Sequence, residues 1–111
     1  MFPKGHRVTT SDFDLVMKQG HVFHAPHFTL RLIREKGLTK SLFSVVAPKS
    51  VAKLAVIRNR LKRQMREALK LSIKNISIPG YMALLFAKKG VRELSYEQMK
   101  AEIQEICHKA F

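Results

Sequence analysis

No tryptophan occurs in this 111-residue chain, cysteine occurs once, and 8 acidic residues stand against 21 Lys+Arg. Each scarcity excludes something. Cys107, being alone, closes no intrachain disulfide, so the fold is not expected to rest on one, and a reducing cytoplasm fits. Lying within the last helical pattern, it reads as a small buried apolar group. No apolar run approaches the ~18 residues that suggest a membrane-spanning helix, and no signal-type apolar region opens the chain. Neither export nor a span is expected. A basic amphipathic helix can also lie on anionic lipid. Here no Trp flanks the basic helix and the aromatics lie elsewhere, so a membrane is not expected as partner.

Catalytic constellations are equally sparse. The acids are scattered and mostly sit where helix starts favour them; Asp12 and Asp14 point to nearly opposite sides of a helix and make a poor metal pair. His21, His24 and His27 recur evenly near a strand edge, but zinc would need a further ligand, which only His6 or His108 could add through tertiary structure. They read better as part of a basic surface. No Gly-rich phosphate loop and no Gly-x-Ser-x-Gly occurs. Side-chain catalysis by the polypeptide alone, a cofactor or metal bound by it, and a small-molecule substrate are therefore not expected.

What the chain does have is positive charge. A net +13 and a pI near 10.4 point to a polyanionic partner, nucleic acid first. The charge is organised. Six basic residues (Arg58, Arg60, Lys62, Arg63, Arg66 and Lys70) lie within one helical stretch, opposed there only by Glu67. At ~100° per residue, Leu54, Ile57, Leu61, Met65, Ala68 and Leu69 gather on one side. Asn59, Arg60, Lys62, Arg63, Arg66 and Lys70 sweep round the other, with Arg58 at the boundary. A solvated face would mix signs at i,i+4 spacing, whereas positions 58, 62, 66 and 70 stack like charges. Planar guanidinium forks, which outnumber ammonium groups here, suit phosphate oxygens. This helix is built to lie along a nucleic-acid backbone.

Around it, patterning predicts an order α-β-β-β-α-β-α over a single RNA-binding domain spanning residues 1–111. A short helix capped by Thr10 or Ser11 ends at Gly20. A shorter strand at Val22-Phe23-His24 precedes Phe28–Ile33, whose alternation puts Phe28, Leu30 and Leu32 on one face. Glu35-Lys36-Gly37 turns the chain into a strand at Leu42–Ala47. The basic helix runs from roughly Val51 to Ile73. Pro79-Gly80 turns into Tyr81–Ala87, a continuous apolar run that suggests a strand buried on both faces. Ser95 and Gln98 form a capping box for the last helix, with Leu94 able to staple onto Met99. Phe13 and Met17 share a helix face, and Phe28 and Leu30 a strand face. Leu30 reads as core. Phe13 and Phe28 are either core or, if they border a groove beside the basic helix, platforms for unpaired bases.

Arg58-Asn59-Arg60-x-Lys62-Arg63-x-x-Arg66-Glu67, preceded by Ala55-Val56, resembles the signature helix of the protein subunits of bacterial ribonuclease P. Arg7, Phe13, Gly20, Phe28, Ser44 and Leu94-Ser95-Tyr96-Glu97 follow that family's order over nearly the whole chain. The resemblance implies an α+β sandwich, with helices on a four-stranded, mostly antiparallel sheet and a βαβ crossover from Leu42 to Ala87, as in some ribosomal proteins. It implies that Arg58, Asn59, Arg60, Lys62, Arg63 and Arg66 meet a catalytic RNA subunit. It further implies that Phe13, Met17, Phe28, Arg31, Lys49 and Lys53 fall at a cleft for the single-stranded 5′ leader of precursor tRNA. The RNA subunit, with magnesium, would cut the phosphodiester bond. Three positions depart from the family pattern. Pro48-Lys49-Ser50 keeps one Lys where Ser-Lys-Lys is frequent, with Lys53 in a place to compensate; Met17 replaces a common aromatic, and Arg31 a common Tyr. The rival expectation is a structural, ribosomal-type RNA-binding protein with no processing role.

Overall fold

Ser95 shows most directly how local sequence sets this architecture. Its hydroxyl accepts from the Gln98 backbone N–H at 3.2 Å while the Gln98 side chain accepts from the Ser95 N–H at 2.9 Å, the expected capping box. The helix it starts, Tyr96–Ala110, is the third of three in the computed structural model, which describes residues 10–34, 42–74 and 80–111. In chain order the elements are α1 (Thr10–Gln19), β1 (His21–His24), β2 (Phe28–Arg34), β3 (Leu42–Val46), α2 (Ala55–Ile73), β4 (Tyr81–Ala87) and α3 (Tyr96–Ala110). A short 3-10 turn at Val91–Glu93 precedes α3. Arg7, the turn expected at Glu35-Lys36-Gly37, and Pro79 lie outside the described residues, as do the capping side chains of Thr10 and Ser11.

The four strands form one sheet in the order β1-β2-β4-β3. β1 with β2 and β2 with β4 pair antiparallel, while β3 and β4 run parallel and are joined through α2, the expected βαβ unit. Strand alternation sends Phe28, Leu30 and Leu32 from β2, and Phe43 and Val45 from β3, to one face. There they meet Leu61 and Met65 of α2 and Met99, Ile103 and Ile106 of α3 in the main core. The opposite face carries α1, whose buried Val16 packs with Met82 and Leu84 of β4. β4 is therefore the middle of a three-layer sandwich, which is why its sequence is an unbroken apolar run.

Boundaries differ from the periodicity most at α2, and by one residue at the strands. α2 begins at Ala55 rather than near Val51, because the N–H groups of Val51 and Ala52 both turn back to the Pro48 carbonyl, at 3.0 and 3.3 Å. That turn tucks Ala52 inside and leaves Leu54, expected on the buried stripe, 61% exposed. β3 likewise ends at Val46, one residue early. Gly20 ends α1 by close approach: a Cβ there would lie 2.4 Å from the Val16 carbonyl oxygen, to which the Gly20 N–H donates at 2.8 Å. The β1–β2 turn is tied to α3 by Glu102, whose carboxylate accepts from the His27 backbone N–H and lies 3.0 Å from His27 Nδ1. Among the described residues no helix is long and apolar enough to cross a membrane.

Candidate nucleic-acid interface

The apolar stripe of α2 fixes where its charges go. Leu61, Met65, Ala68 and Leu69 are buried against the sheet and α3, so Asn59, Arg60, Arg63 and Lys70 stand exposed and Lys62 and Arg66 half-buried on the far side. None of these basic groups has a carboxylate partner among the described residues; the ion pairs there are His27–Glu102 and Lys100–Glu97. Four acids, Glu93, Glu97, Glu102 and Glu105, fall instead on or just before α3. Charge is thus largely segregated, leaving the outer side of α2, where Glu67 is the one acid, as a predominantly positive ridge.

Arg58 differs from its neighbours. Its Nη1 donates to the backbone carbonyls of Ala52 at 3.0 Å and Lys53 at 2.7 Å, holding the β3–α2 connection against the first turn of the helix. Its Nε and Nη2 have no protein partner among the described residues. One guanidinium therefore both braces the loop and keeps donors free for a phosphate.

The second group of expected residues divides between the two sheet faces. Phe13, half-buried on α1, meets Phe86 of β4 edge to face, with centroids 6.2 Å apart at 62°. Met17, one turn further along α1, is 37% exposed. Arg31 on β2 emerges beside it, its Nη1 donating to the Met17 carbonyl at 3.5 Å, where a cation suits the negative end of the α1 dipole. Phe13, Met17 and Arg31 thus share one surface. Phe28 does not. It lies on the opposite face with 0% exposure, inside the core under α2 and α3, so its expected place in the leader cleft is corrected to a packing role. Lys49 and Lys53 are exposed on the connection that leaves the end of β3.

Phe86 is the aromatic that sequence reasoning missed. The register pairs it with Thr29 on one side and Val46 on the other, a half-buried row on the same face as Phe13. Within the run Tyr81–Ala87 nothing marks which apolar residue meets solvent. Only the Thr29–Arg31 alternation on β2, paired across, could have singled it out.

Among the described residues no nucleophile–base pair stands on this surface. Burial pushes the Cys107 thiol up to about 12, so it is no thiolate near neutrality. Among the described residues no group of three His, Cys, Asp or Glu side chains could hold a metal ion. The surface that remains offers guanidinium and ammonium donors on α2 and an apolar, partly aromatic strip on the α1 side of the sheet.

Comparison with known proteins shows the family. A family profile described as Ribonuclease P matches residues 2–111. The ribonuclease P protein component of Aliivibrio fischeri is 35% identical over 102 residues, covering 92% of this chain and 85% of the relative. That of Microcystis aeruginosa is 31% identical over 112 residues, covering 97% and 92%. In fold, the chain superposes on the RNase P protein of Staphylococcus aureus with a TM-score of 0.83 at 21% identity, covering 95% of this chain and 94% of that one. The RNase P protein from Thermotoga maritima gives 0.79 at 20% identity, covering 93% and 96%. By sequence over its whole length and by architecture, this chain belongs to the ribonuclease P protein family, the protein component of a ribonucleoprotein endoribonuclease.

Proposed function

We propose that the chain binds the catalytic RNA subunit through the outer side of α2 and the 5′ leader of precursor tRNA across the α1 side of the sheet. The RNA cuts the leader in a magnesium-dependent step, in the cytoplasm. The observation that carries this reading is the ridge of Arg60, Lys62, Arg63 and Arg66, without ion-pair partners among the described residues, on a helix whose other side is core. A polyanion is what such a ridge lacks. The protein's part is physical. A +13 body set between enzyme RNA and substrate RNA offsets the repulsion between them, which favours substrate binding and the close phosphate clusters that hold magnesium. Magnesium is held by RNA phosphates in this account, and the protein's side chains hold and orient RNA.

The test is stimulation of a bacterial ribonuclease P RNA. At low magnesium, where the RNA alone cleaves precursor tRNA poorly, added protein should restore cleavage at the same phosphodiester. Binding to the RNA without stimulation would favour a structural, ribosomal-type role and overturn the reading.

A further inference from the structure

One carboxylate interrupts the cations of α2. Glu67 is exposed on the same outer side as Arg60, Arg63 and Lys70. Arg63, four residues before it, and Lys70, three after, stand beside it at ~100° per residue. Neither closes an ion pair with it, and no hydrogen bond reaches its side chain among the described residues. Both carboxylate oxygens stay open on the surface proposed to meet RNA. The surroundings also change here. Leu71, one turn further along the same side of α2, is apolar and 44% exposed. Tyr96 lies half-buried at the start of α3, and burial, then the charges of Glu67 and Glu97, hold its phenol above the usual tyrosine range. Lys100 of α3 is already paired, at 3.9 Å from Glu97.

A phosphate brought to this seam of α2 and α3 would face the carboxylates of Glu67 and Glu97. A base would find an aromatic ring, an apolar side chain and a hydrogen-bond acceptor. The acceptor narrows the choice of base. A carboxylate offers two acceptors side by side and no donor. Guanine's Watson–Crick edge sets N1–H and N2–H side by side. Adenine and cytosine place one amino group next to a ring-nitrogen lone pair, and uracil places one N–H between two carbonyls. Each of these would turn a lone pair on the second oxygen. In a duplex the Watson–Crick edge is already paired, and the A-form major groove admits no side chain. The fitting group is an unpaired guanine.

We infer that Glu67 reads one unpaired guanine of the RNA subunit, accepting from its N1–H and N2–H, while Leu71 and Tyr96 supply surface for the base. This deepens the proposed binding of the RNA subunit by α2 and rests on it. Glu67 is then a specificity residue on a helix whose cations hold phosphates.

The experiment compares wild-type protein, Glu67→Gln and Glu67→Ala on a bacterial ribonuclease P RNA. Affinity is measured across a range of salt, and unpaired guanines are probed with kethoxal, which reacts at N1 and N2. Gln keeps the shape but turns a donor on one of the two N–H groups, and Ala removes both acceptors. Each variant should bind about tenfold more weakly, the scale of one lost bidentate base contact. The salt slope should stay the same, because no phosphate contact is lost. Wild-type protein should protect a guanine that both variants leave reactive. A carboxylate that only tempers the charge of the ridge gives the opposite sign, since its removal would tighten binding to RNA. Tighter or unchanged binding would overturn the inference, and so would weaker binding with the same guanines protected. Failure of wild-type protein to bind the RNA at all would instead overturn the proposed function.

Discussion

Phe13 and Phe86 meet edge to face across the α1 side of the sheet, while Phe28, on the strand next to Phe86, is sealed beneath α2 and α3 on the other side. The two phenylalanines expected to work together on the leader should therefore behave differently. Phe13→Leu removes a ring that stands half open on the surface proposed to meet the leader. It should weaken precursor tRNA relative to mature tRNA by about 1 kcal/mol or more, the lower part of the range for losing a stacked base. Phe28→Leu should cost about 1–3 kcal/mol of stability, less than a full truncation in a core, and leave the precursor-to-mature ratio alone. Paired binding and melting measurements decide. A shifted ratio in Phe28→Leu and none in Phe13→Leu would reverse the assignment.

The stacked charges of α2 make a second expectation. Lys62, Arg66 and Lys70 follow Arg58 at four-residue spacing with no carboxylate partner among the described residues, so the native state carries repulsion that an anion relieves. Sulfate or phosphate should raise the melting temperature by mass action well beyond chloride at equal ionic strength. Calorimetry in the matched salts checks it; coincident curves would show that the ridge binds no anion.

Cys107 supplies a third. Its thiol is buried, and its folded-state value of about 12 lies above the ordinary one. The folded state therefore prefers the neutral thiol. Its contribution to stability is fully present below the ordinary thiol range, near 8.5, and is lost as pH rises from there towards 12. At pH 8 a thiol reagent should label native protein only as fast as it opens, and denaturant should make labelling immediate. Rapid stoichiometric labelling of folded protein would contradict the burial.

Much of this architecture was legible in the chain because it rests on local rules. The capping box at Ser95 and Gln98, the β4 run and the two-sided character of α2 each follow from spacing alone. What was not legible depends on layers meeting. Alternation separates Phe28 from Thr29, yet says nothing about which face receives two helices and which receives one short one. For the same reason Phe86 was hidden in a run of buried neighbours. Leu54 fits the α2 stripe by angle, but the Pro48 turn takes it off the helix. Arg58 reads as one more cation until the connection from β3 folds back and places two carbonyls on its Nη1.

The outer side of α2 is proposed as an RNA-binding ridge and not a solvated surface. Replacing Arg60, Lys62, Arg63 and Arg66 together by Ala tests it most directly, since their side chains point away from the buried stripe. The measurement is affinity for a bacterial ribonuclease P RNA as a function of salt, with melting recorded in parallel. The quadruple variant should stay folded, bind the RNA far more weakly at moderate salt, and show a salt slope shallower by about one unit per lost phosphate contact. Wild-type affinity with an unchanged slope in the folded quadruple variant would contradict it.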